Sequence, residues 1–148
     1  WMRPKSGPGS TYRYIGADPK ATDEGWESLG DLGRFDEDGY LHLADRLTDM
    51  ILTGGANVYP AEVEAAIDAF PGVRSSCVVG LPDDDLGARV HAIVDTAGAP
   101  LDEAALLAHL GERLARYKLP RSLEVVDTPV RDDAGKVRRV QLRAERIA

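Results

Sequence analysis

The sequence lacks the features that mark secreted, membrane-spanning or nucleic-acid-binding proteins. Its one cysteine, Cys77, cannot form an internal disulfide, which is typical of proteins in a reducing compartment. No apolar run approaches the roughly 18 residues that a membrane span needs, and the N-terminus lacks the layout of a signal peptide. A net charge of -7 disfavours a nucleic-acid backbone as the main partner. We therefore expect a cytoplasmic protein with no membrane span and no nucleic-acid partner.

The common motifs of metal and phosphate chemistry are also missing. The sequence contains no paired-cysteine zinc pattern and no Walker-type phosphate loop. The acidic turn 36–39 resembles the start of a calcium loop, but the later ligands and the closing glutamate are absent. The three consecutive carboxylates at 83–85 would point in different directions, which favours a solvated turn. We predict no metal site, and packing or surface roles for the three histidines, His42, His91 and His109.

The N-terminal segment combines a loop-rich composition with large aromatic side chains. Residues 1–28 are rich in Gly, Pro, Ser and Thr, and only 11–15 show the alternation of a strand. Their aromatic residues are Trp1, Tyr12, Tyr14 and Trp26. Such side chains need a surface to pack against, so we interpret the segment as a piece of a larger domain. We also expect exposed aromatic residues here to promote self-association of the chain.

Turn and helix signals divide the rest of the chain into short strands and helices. Asp38-Gly39 predicts one hairpin, and Gly54-Gly55 predicts a shorter one. Pro60 is typical of a helix start, and Asp102 is a suitable N-cap for a second helix that runs toward Tyr117. Further strands are predicted at 73–81, 88–96 and 122–126, and a basic helix at 137–146. This alternation predicts a compact α+β domain of about 100 residues.

A lysine near the C-terminus stands in a pattern that suits anion binding. Lys136 follows Gly135 in a polar loop, and further cations follow at Arg138 and Arg139. A lysine on such a loop can reach phosphate or carboxylate as a point charge. On the residues alone, a surface loop followed by an exposed basic helix explains the pattern equally well.

Five motifs occur in the order and spacing of the acyl-CoA synthetase family of adenylate-forming enzymes. One such motif alone would be weak evidence, whereas five in register across nearly the whole chain are specific. The segments 25–28 and 55–57 are most similar to bacterial fatty-acid or bile-acid CoA ligases. The five motifs are Gly30-Asp31-Leu32-Gly33, Asp45-Arg46, Gly54-Gly55-Ala56-Asn57-Val58-Tyr59-Pro60-Ala61-Glu62-Val63-Glu64, Tyr117-Lys118-Leu119-Pro120 and Gly135-Lys136.

The resemblance implies a division into two domains. Residues 1–47 would be the β-rich end of a large N-terminal adenylation domain. Residues 48–148 would be the mobile C-terminal domain, with a short hairpin and then a three-stranded sheet with packed helices. The hinge would lie near 48–49, where Thr48 replaces the Asp or Lys that is usual in the family. The missing large domain would be the main partner, and the chain alone would be inactive because it lacks the phosphate loop and the acyl pocket.

The resemblance also implies site residues and cofactors. Asp31 would bind the ribose hydroxyls of ATP and of the adenylate, and Arg46 would help to hold the same nucleotide. Gly54 and Gly55 would approach the pantetheine arm of CoA. Lys136 would be catalytic, contacting the substrate carboxylate and the nucleotide during adenylation. Mg²⁺ would accompany ATP and would be bound mainly outside this chain.

The implied reaction activates a carboxylic acid with ATP to an acyl-adenylate and then transfers the acyl group to CoA. Two alternatives stay open: a lid domain that serves a carrier-protein acceptor, and a binding module without catalysis. The second gains some support from Thr48 and from the lysine loop, where Asp132 and Ala134 stand at positions that usually carry hydroxyl residues.

Overall fold

The structure is a computed structural model that describes residues 1–5 and 20–147, apart from the side chain of Ala44. The strand predicted at 11–15 lies outside the described residues. The chain forms two compact units, Trp1–Thr48 and Asp49–Ala148.

The described part of the first unit contains two antiparallel strand pairs. Its strands are β1 (Lys20–Ala21), β2 (Glu27–Ser28), β3 (Asp31–Phe35) and β4 (Leu41–Arg46), with β1 paired to β2 and β3 to β4. Asp36 shapes the turn between β3 and β4, because its carboxylate accepts hydrogen bonds from the backbone N–H groups of Asp38 and Tyr40 at 3.1 and 2.8 Å. Gly39 supplies the positive φ of +83° that completes the turn. The first predicted hairpin is confirmed.

The second unit contains a short hairpin, three helices and a three-stranded sheet. Its elements are β5 (Ile51–Thr53), β6 (Ala56–Val58), α1 (Pro60–Asp68), β7 (Ser75–Asp83), β8 (Gly87–Asp95), α2 (Glu103–Gly111), a 3₁₀-helix (Arg116–Lys118), β9 (Ser122–Val126) and α3 (Arg139–Ala144). The sheet order is β7-β8-β9, antiparallel between β7 and β8 and parallel between β8 and β9. The parallel pair requires a crossover, and α2 with the 3₁₀-helix provides it. The unit is the α+β domain that the sequence predicts.

The sheet of the second unit is buried on both faces. Alternate residues of β7 and β8 point to opposite sides, as the pleat of a strand dictates. One face packs with α1, α2 and the β5–β6 hairpin around Ile51, Val58, Val63, Ile67, Val78, Val90, Ala92, Val94, Leu106 and Leu110. The other face is formed by Cys77, Val79, Leu81, Ile93 and Val130, against which Leu142 of α3 packs.

Local chemistry fixes the helix starts, whereas two predicted helix limits are wrong. Pro60 is the first residue of α1, and the Asp102 carboxylate accepts the N–H of Ala105 at 3.0 Å. However, α2 ends at Gly111, well before Tyr117, because glycine is a poor helix former. Likewise α3 starts two residues later than predicted, because Val137 pairs with Arg131 in a β-bridge.

Candidate functional site

Lys136 lies in a tight hairpin loop that is braced by Asp132. The Asp132 carboxylate accepts hydrogen bonds from the backbone N–H groups of Ala134 and Lys136 at 3.0 and 2.8 Å. The Asp132 backbone N–H in turn donates to the Lys136 carbonyl at 2.9 Å, and Gly135 takes a φ of +74°. Asp132, which departs from the family pattern, thus stabilises the backbone conformation that presents Lys136.

The ammonium group of Lys136 is available to a ligand. Lys136 is exposed, and its Nζ makes no hydrogen bond or ion pair with any residue in the described ranges 1–5 and 20–147. Four nearby arginines are engaged instead. They bond carboxylates or backbone carbonyls of the same unit, and they are Arg131, Arg139, Arg143 and Arg146. The C-terminal segment is therefore less cationic than its composition suggests, and Lys136 and the exposed Arg138 are the cations near the loop that face solvent.

One buried carboxylate holds both ends of the Lys136 loop. Glu64 of α1 is 4% exposed and is bonded by Arg131 and by Arg139, which flank the loop on either side. Its Oε1 also accepts the Val78 N–H of β7 at 2.8 Å. Glu64 belongs to the motif quoted above, but sequence reasoning assigned it no role. The available signal was its place one helical turn before Ile67, on the apolar side of α1, where a charge must find a partner.

Asp31 and Arg46 are brought together across the hairpin of the first unit. They are opposite each other in the β3–β4 register, and Arg46 Nε lies 3.5 Å from Asp31 Oδ1. Both side chains stay accessible, at 34% exposed for Asp31 and 73% for Arg46. A carboxylate acceptor and a guanidinium donor fork therefore lie side by side, as recognition of a polar ligand requires.

Gly54 and Gly55 form the turn of the β5–β6 hairpin. Their φ angles of +54° and +81° lie in the left-handed region that the turn of a two-residue hairpin requires. The Gly54 N–H donates to the Leu86 carbonyl at 3.0 Å, which ties this turn to the β7–β8 connection. Both glycines are exposed, so a ligand can approach the backbone closely.

A surface groove of about 680 Å³ opens beside this turn. Gly54 and Leu86 line one side of it. The other side is formed by the segment around the 3₁₀-helix, including Arg116, Tyr117 and Arg121. The groove therefore offers cations and an aromatic ring next to a turn without side chains.

Thr48 is the last residue of the first unit and is exposed in the turn between β4 and β5. Asp31 and Arg46 belong to the same unit, whereas Gly54, Gly55 and Lys136 belong to the second. The predicted site residues thus fall into three places: the β3–β4 hairpin, the β5–β6 turn and the braced lysine loop.

His109 and the turn at 83–85 have the structural roles predicted for them, and Cys77 is a core residue. Cys77 is buried, and burial raises the pKa of its thiol to about 11, so it is not a nucleophile at neutral pH. His109 Nε2 lies 3.0 Å from the Ala66 carbonyl, and its ring meets Phe70 edge-on. The Asp83 carboxylate accepts the N–H groups of Asp85 and Leu86 in a turn.

Residues 1–5 and 20–147 contain neither a metal-ligand cluster nor a membrane-spanning helix. Within them, His, Cys, Asp and Glu side chains form no group of three that could hold a metal ion. No helix in this part of the chain is both long and apolar enough to cross a membrane.

Comparison with known proteins assigns the chain to a family. The family model described as "AMP-binding enzyme C-terminal domain" matches residues 62–136, half of the chain. The long-chain-fatty-acid–CoA ligase FadD13 of Mycobacterium tuberculosis is 43% identical over 131 residues, which cover 86% of this chain and 26% of that protein. The fatty acid–[acyl-carrier-protein] ligase ScoC of Streptomyces coeruleorubidus is 41% identical over 140 residues, covering 92% of this chain and 27% of that protein.

The fold of the chain agrees with the same assignment. The crystal structure of ATP-bound MatB from Rhodopseudomonas palustris matches with a TM-score of 0.78 at 43% identity, covering 85% of this chain and 25% of MatB. The chain thus spans about a quarter of the length of the proteins that it matches. Its segment 62–136, which contains both Glu64 and Lys136, carries the family match. The chain belongs to the family of AMP-binding enzyme C-terminal domains, and its relatives include acid–CoA ligases.

Proposed function

We propose that this chain is the C-terminal part of an AMP-forming acid–CoA ligase. The whole enzyme would convert a carboxylic acid, ATP and CoA into acyl-CoA, AMP and pyrophosphate. The observation that carries the proposal is the braced loop that presents an exposed, unpaired Lys136 within the segment that matches the family. Fatty acids are the leading substrate class, because FadD13 is a fatty-acid ligase by name.

Lys136 would act in the first half-reaction. There a carboxylate oxygen of the acid attacks the α-phosphorus of ATP, the new O–P bond forms, and pyrophosphate leaves. This attack brings the negatively charged carboxylate close to the negatively charged phosphates, and the two groups repel each other. A preorganised cation between them stabilises the transition state more than the separated reactants.

Asp31 and Arg46 would bind the nucleotide in both half-reactions. The Asp31 carboxylate suits the two ribose hydroxyls as an acceptor, and Arg46, opposite it in the hairpin, suits a phosphate or the ribose as a donor. Mg²⁺ would enter with ATP and would be bound mainly by residues outside this chain.

Gly54 and Gly55 would serve the second half-reaction, in which the CoA sulfur attacks the acyl carbonyl carbon and AMP leaves. A turn without side chains leaves room for the narrow pantetheine arm. The adjacent groove adds Arg116 and Arg121, whose guanidinium groups suit the phosphates of the CoA nucleotide. Tyr117 in the same groove offers a ring for the adenine.

The junction between the two compact units supports a hinge at residues 48–49. In this proposal, residues 1–47 complete the large adenylation domain and residues 48–148 rotate as the lid. The lid would present Lys136 in the first half-reaction and the Gly54-Gly55 turn in the second. Acyl binding and the phosphate loop would belong to the large domain, so the 148-residue chain alone should form no acyl-CoA.

The test is a chimera in which the whole chain replaces the matching quarter of FadD13. Adenylation is measured by the release of pyrophosphate. We expect Lys136→Ala to slow this step on the order of 100- to 1000-fold, because a cation that stabilises the transition state is lost. Arg138→Ala is the matched control, since it removes an exposed cation two residues away and should leave the rate within about 2-fold of the unmodified chimera. An active chimera whose adenylation ignores Lys136→Ala would contradict the catalytic role.

A carrier-protein thiol is the second candidate acceptor, favoured by the similarity to ScoC, which is named for that acceptor. CoA carries nucleotide phosphates that the Arg116–Arg121 groove could bind, whereas the phosphopantetheine of a carrier protein lacks the nucleotide. Comparing CoA with a phosphopantetheinylated carrier protein as acceptors in the same chimera distinguishes the two.

A further inference from the structure

Glu64, Arg131 and Arg139 form a cluster that we name the Glu64 clamp. Arg139 bonds both carboxylate oxygens of Glu64, through Nη1 to Oε1 and through Nη2 to Oε2 at 3.4 Å. Arg131 Nη2 reaches Oε2 at 3.2 Å. With the Val78 N–H also bonded to Oε1, both oxygens of this buried carboxylate are fully used.

The two arginines of the Glu64 clamp stand at the two ends of the Lys136 loop. Arg131 precedes the loop, pairs with Val137 in an antiparallel bridge, and donates from Nη1 to the Gly135 carbonyl at 3.3 Å. Arg139 follows the loop and is the first residue of α3. Both strands of the loop are therefore fastened to one carboxylate on α1.

The Glu64 clamp also binds the backbone of β7. Arg131 Nη2 donates to the Ser76 carbonyl at 3.3 Å, and Arg139 Nη1 donates to the Val78 carbonyl at 2.9 Å. These two carbonyls belong to a strand whose residues 76–79 are buried. The loop is thus bonded to a buried strand of the sheet as well as within its own turn.

Arg139 makes one more contact, which reaches the start of the second unit. Its Nε lies 3.2 Å from Asp49 Oδ2. Asp49 directly follows Thr48, so the guanidinium that anchors the Lys136 loop also anchors the first residue after the proposed hinge. A planar guanidinium can hold two carboxylates and a carbonyl at once, whereas an ammonium group cannot reproduce this fork.

We propose that Glu64, Arg131 and Arg139 are positioning residues that hold the Lys136 loop in the orientation required for adenylation and fix it to the segment after the hinge. The proposal deepens the role given to Lys136 and rests on the proposed function. Among the described residues, the clamp makes no hydrogen bond to the Gly54-Gly55 turn. Loss of the clamp should therefore affect the adenylation step and spare the thioester step.

The test uses Arg139→Lys in the FadD13 chimera, with the two half-reactions measured separately. We expect adenylation to slow on the order of 10- to 100-fold, because a displacement of about 1 Å at a catalytic group has effects of this size. Thioester formation from supplied acyl-adenylate and CoA should stay within about 2-fold, since it does not use Lys136. Arg146→Lys is the matched control. Arg146 is an arginine of the same C-terminal segment with the same exposed fraction as Arg139, but it bonds Glu124 and not Glu64.

If Arg139 has a purely structural role, Arg139→Lys should lower the rates of both half-reactions by the same factor, and this result would overturn the proposal. An unchanged adenylation rate in Arg139→Lys, in a chimera that Lys136→Ala does inactivate, would also overturn it. If Lys136→Ala itself has no effect, the proposed function fails, and the clamp is judged on the 148-residue chain. There, hydrogen exchange at the Lys136 N–H should speed up in Arg139→Lys and not in Arg146→Lys; equal exchange in both would overturn the proposal.

Discussion

Charged side chains that are wholly or partly buried are stabilised by their partners in this chain, as Arg139 and Asp95 show. Arg139 is the clearest case: burial works against its charge, but the hydrogen bonds and charges of Glu64 and Asp49 outweigh burial and raise the pKa of the guanidinium. Asp95 is fully buried, and burial alone would raise the pKa of its carboxyl. The bidentate bonds from Arg74 at 2.6 and 2.7 Å and the Ala97 N–H lower it instead. Such pairs stabilise the fold only while both partners are present, since an unpaired buried charge costs about 3–5 kcal/mol.

His91 is a buried residue whose ring is hydrogen-bonded through one nitrogen only. Its Nδ1 lies 2.8 Å from Ser122 Oγ, but its Nε2 is buried without a hydrogen-bond partner among the described residues, 3.5 Å from Glu124 Oε2. Burial lowers the pKa of His91 below its usual 6.5, with support from Arg146 and Arg89, while Glu124 opposes the shift. The unfolded chain therefore binds more protons than the folded chain between the two pKa values.

We predict that this histidine makes the chain less stable in acid. The contribution of the neutral His91 ring to the free energy of unfolding should be complete above about pH 6.5. It should fall as the pH drops through 6.5 toward the lower pKa of His91 in the folded state. Thermal unfolding of the chain between pH 7.5 and pH 5.5 should show a fall in Tm that His91→Asn reduces. His42→Asn, which removes an exposed imidazole, should leave the fall in place. If Tm falls as much in His91→Asn as in the unmodified chain, His91 is not the cause of the pH dependence.

At the scale of elements, the two hairpin glycines differ in what a side chain would meet. Gly54 and Gly55 both have positive φ, so replacement by alanine strains the backbone in the same way at each, by about 1–2 kcal/mol. A Cβ on Gly54 would lie 3.1 Å from Leu86 Cδ2 and beside the groove, whereas a Cβ on Gly55 would meet nothing within 4 Å.

This difference separates backbone strain from a role in CoA binding. In the chimera, Gly54→Ala should raise the KM for CoA roughly 10-fold, because one added carbon obstructs the groove. Gly55→Ala has similar strain, but Gly55 does not line the groove, so this substitution should raise the KM for CoA less. Adenylation rates should be similar in both variants. An equal rise in KM in both would mean that strain in the turn, and not access to the groove, limits CoA.

Most elements could be predicted because their signals are local. Asp38-Gly39, Gly54-Gly55, Pro60 and Asp102 each act on backbone within a few residues, and the structure places a turn or a helix start at every one. Lys136 could be selected only by resemblance, because its residues alone suit a surface loop equally well.

The remaining features depend on contacts between distant parts of the chain. Glu64 and Arg139 are 75 residues apart, so no local pattern indicates that they pair. The parallel pairing of β8 with β9 likewise depends on how α2 packs. The end of α2 at Gly111 could not be predicted because Leu114, which lies beyond the helix, also packs against the core. The helical spacing of apolar residues therefore continues past the end of the helix.

On the scale of the whole molecule, both buried apolar clusters of the described residues belong to the second unit. Every residue of both clusters lies between Ile51 and Leu142. The first unit instead exposes large apolar side chains: Trp1, Leu29, Phe35, Tyr40, Leu41, Leu43 and Leu47. An unequal distribution of this kind is typical of a piece of a larger apolar surface, as the proposed large domain would provide.

We predict that the chain self-associates through the β3–β4 hairpin. Phe35 is 70% exposed and lies opposite Leu41, 54% exposed, so the two form a contiguous apolar pair. Among the described residues, the β3–β4 ribbon pairs with no further strand, which leaves edges that another chain can join. Light scattering should show an average mass that rises with concentration. Phe35→Thr with Leu41→Thr should reduce the rise, because threonine keeps strand propensity while removing apolar area. Val140→Thr, at the exposed valine of α3, should have no such effect. A monodisperse monomer at high concentration would show that the apolar surface of the first unit does not bind a second copy of the chain.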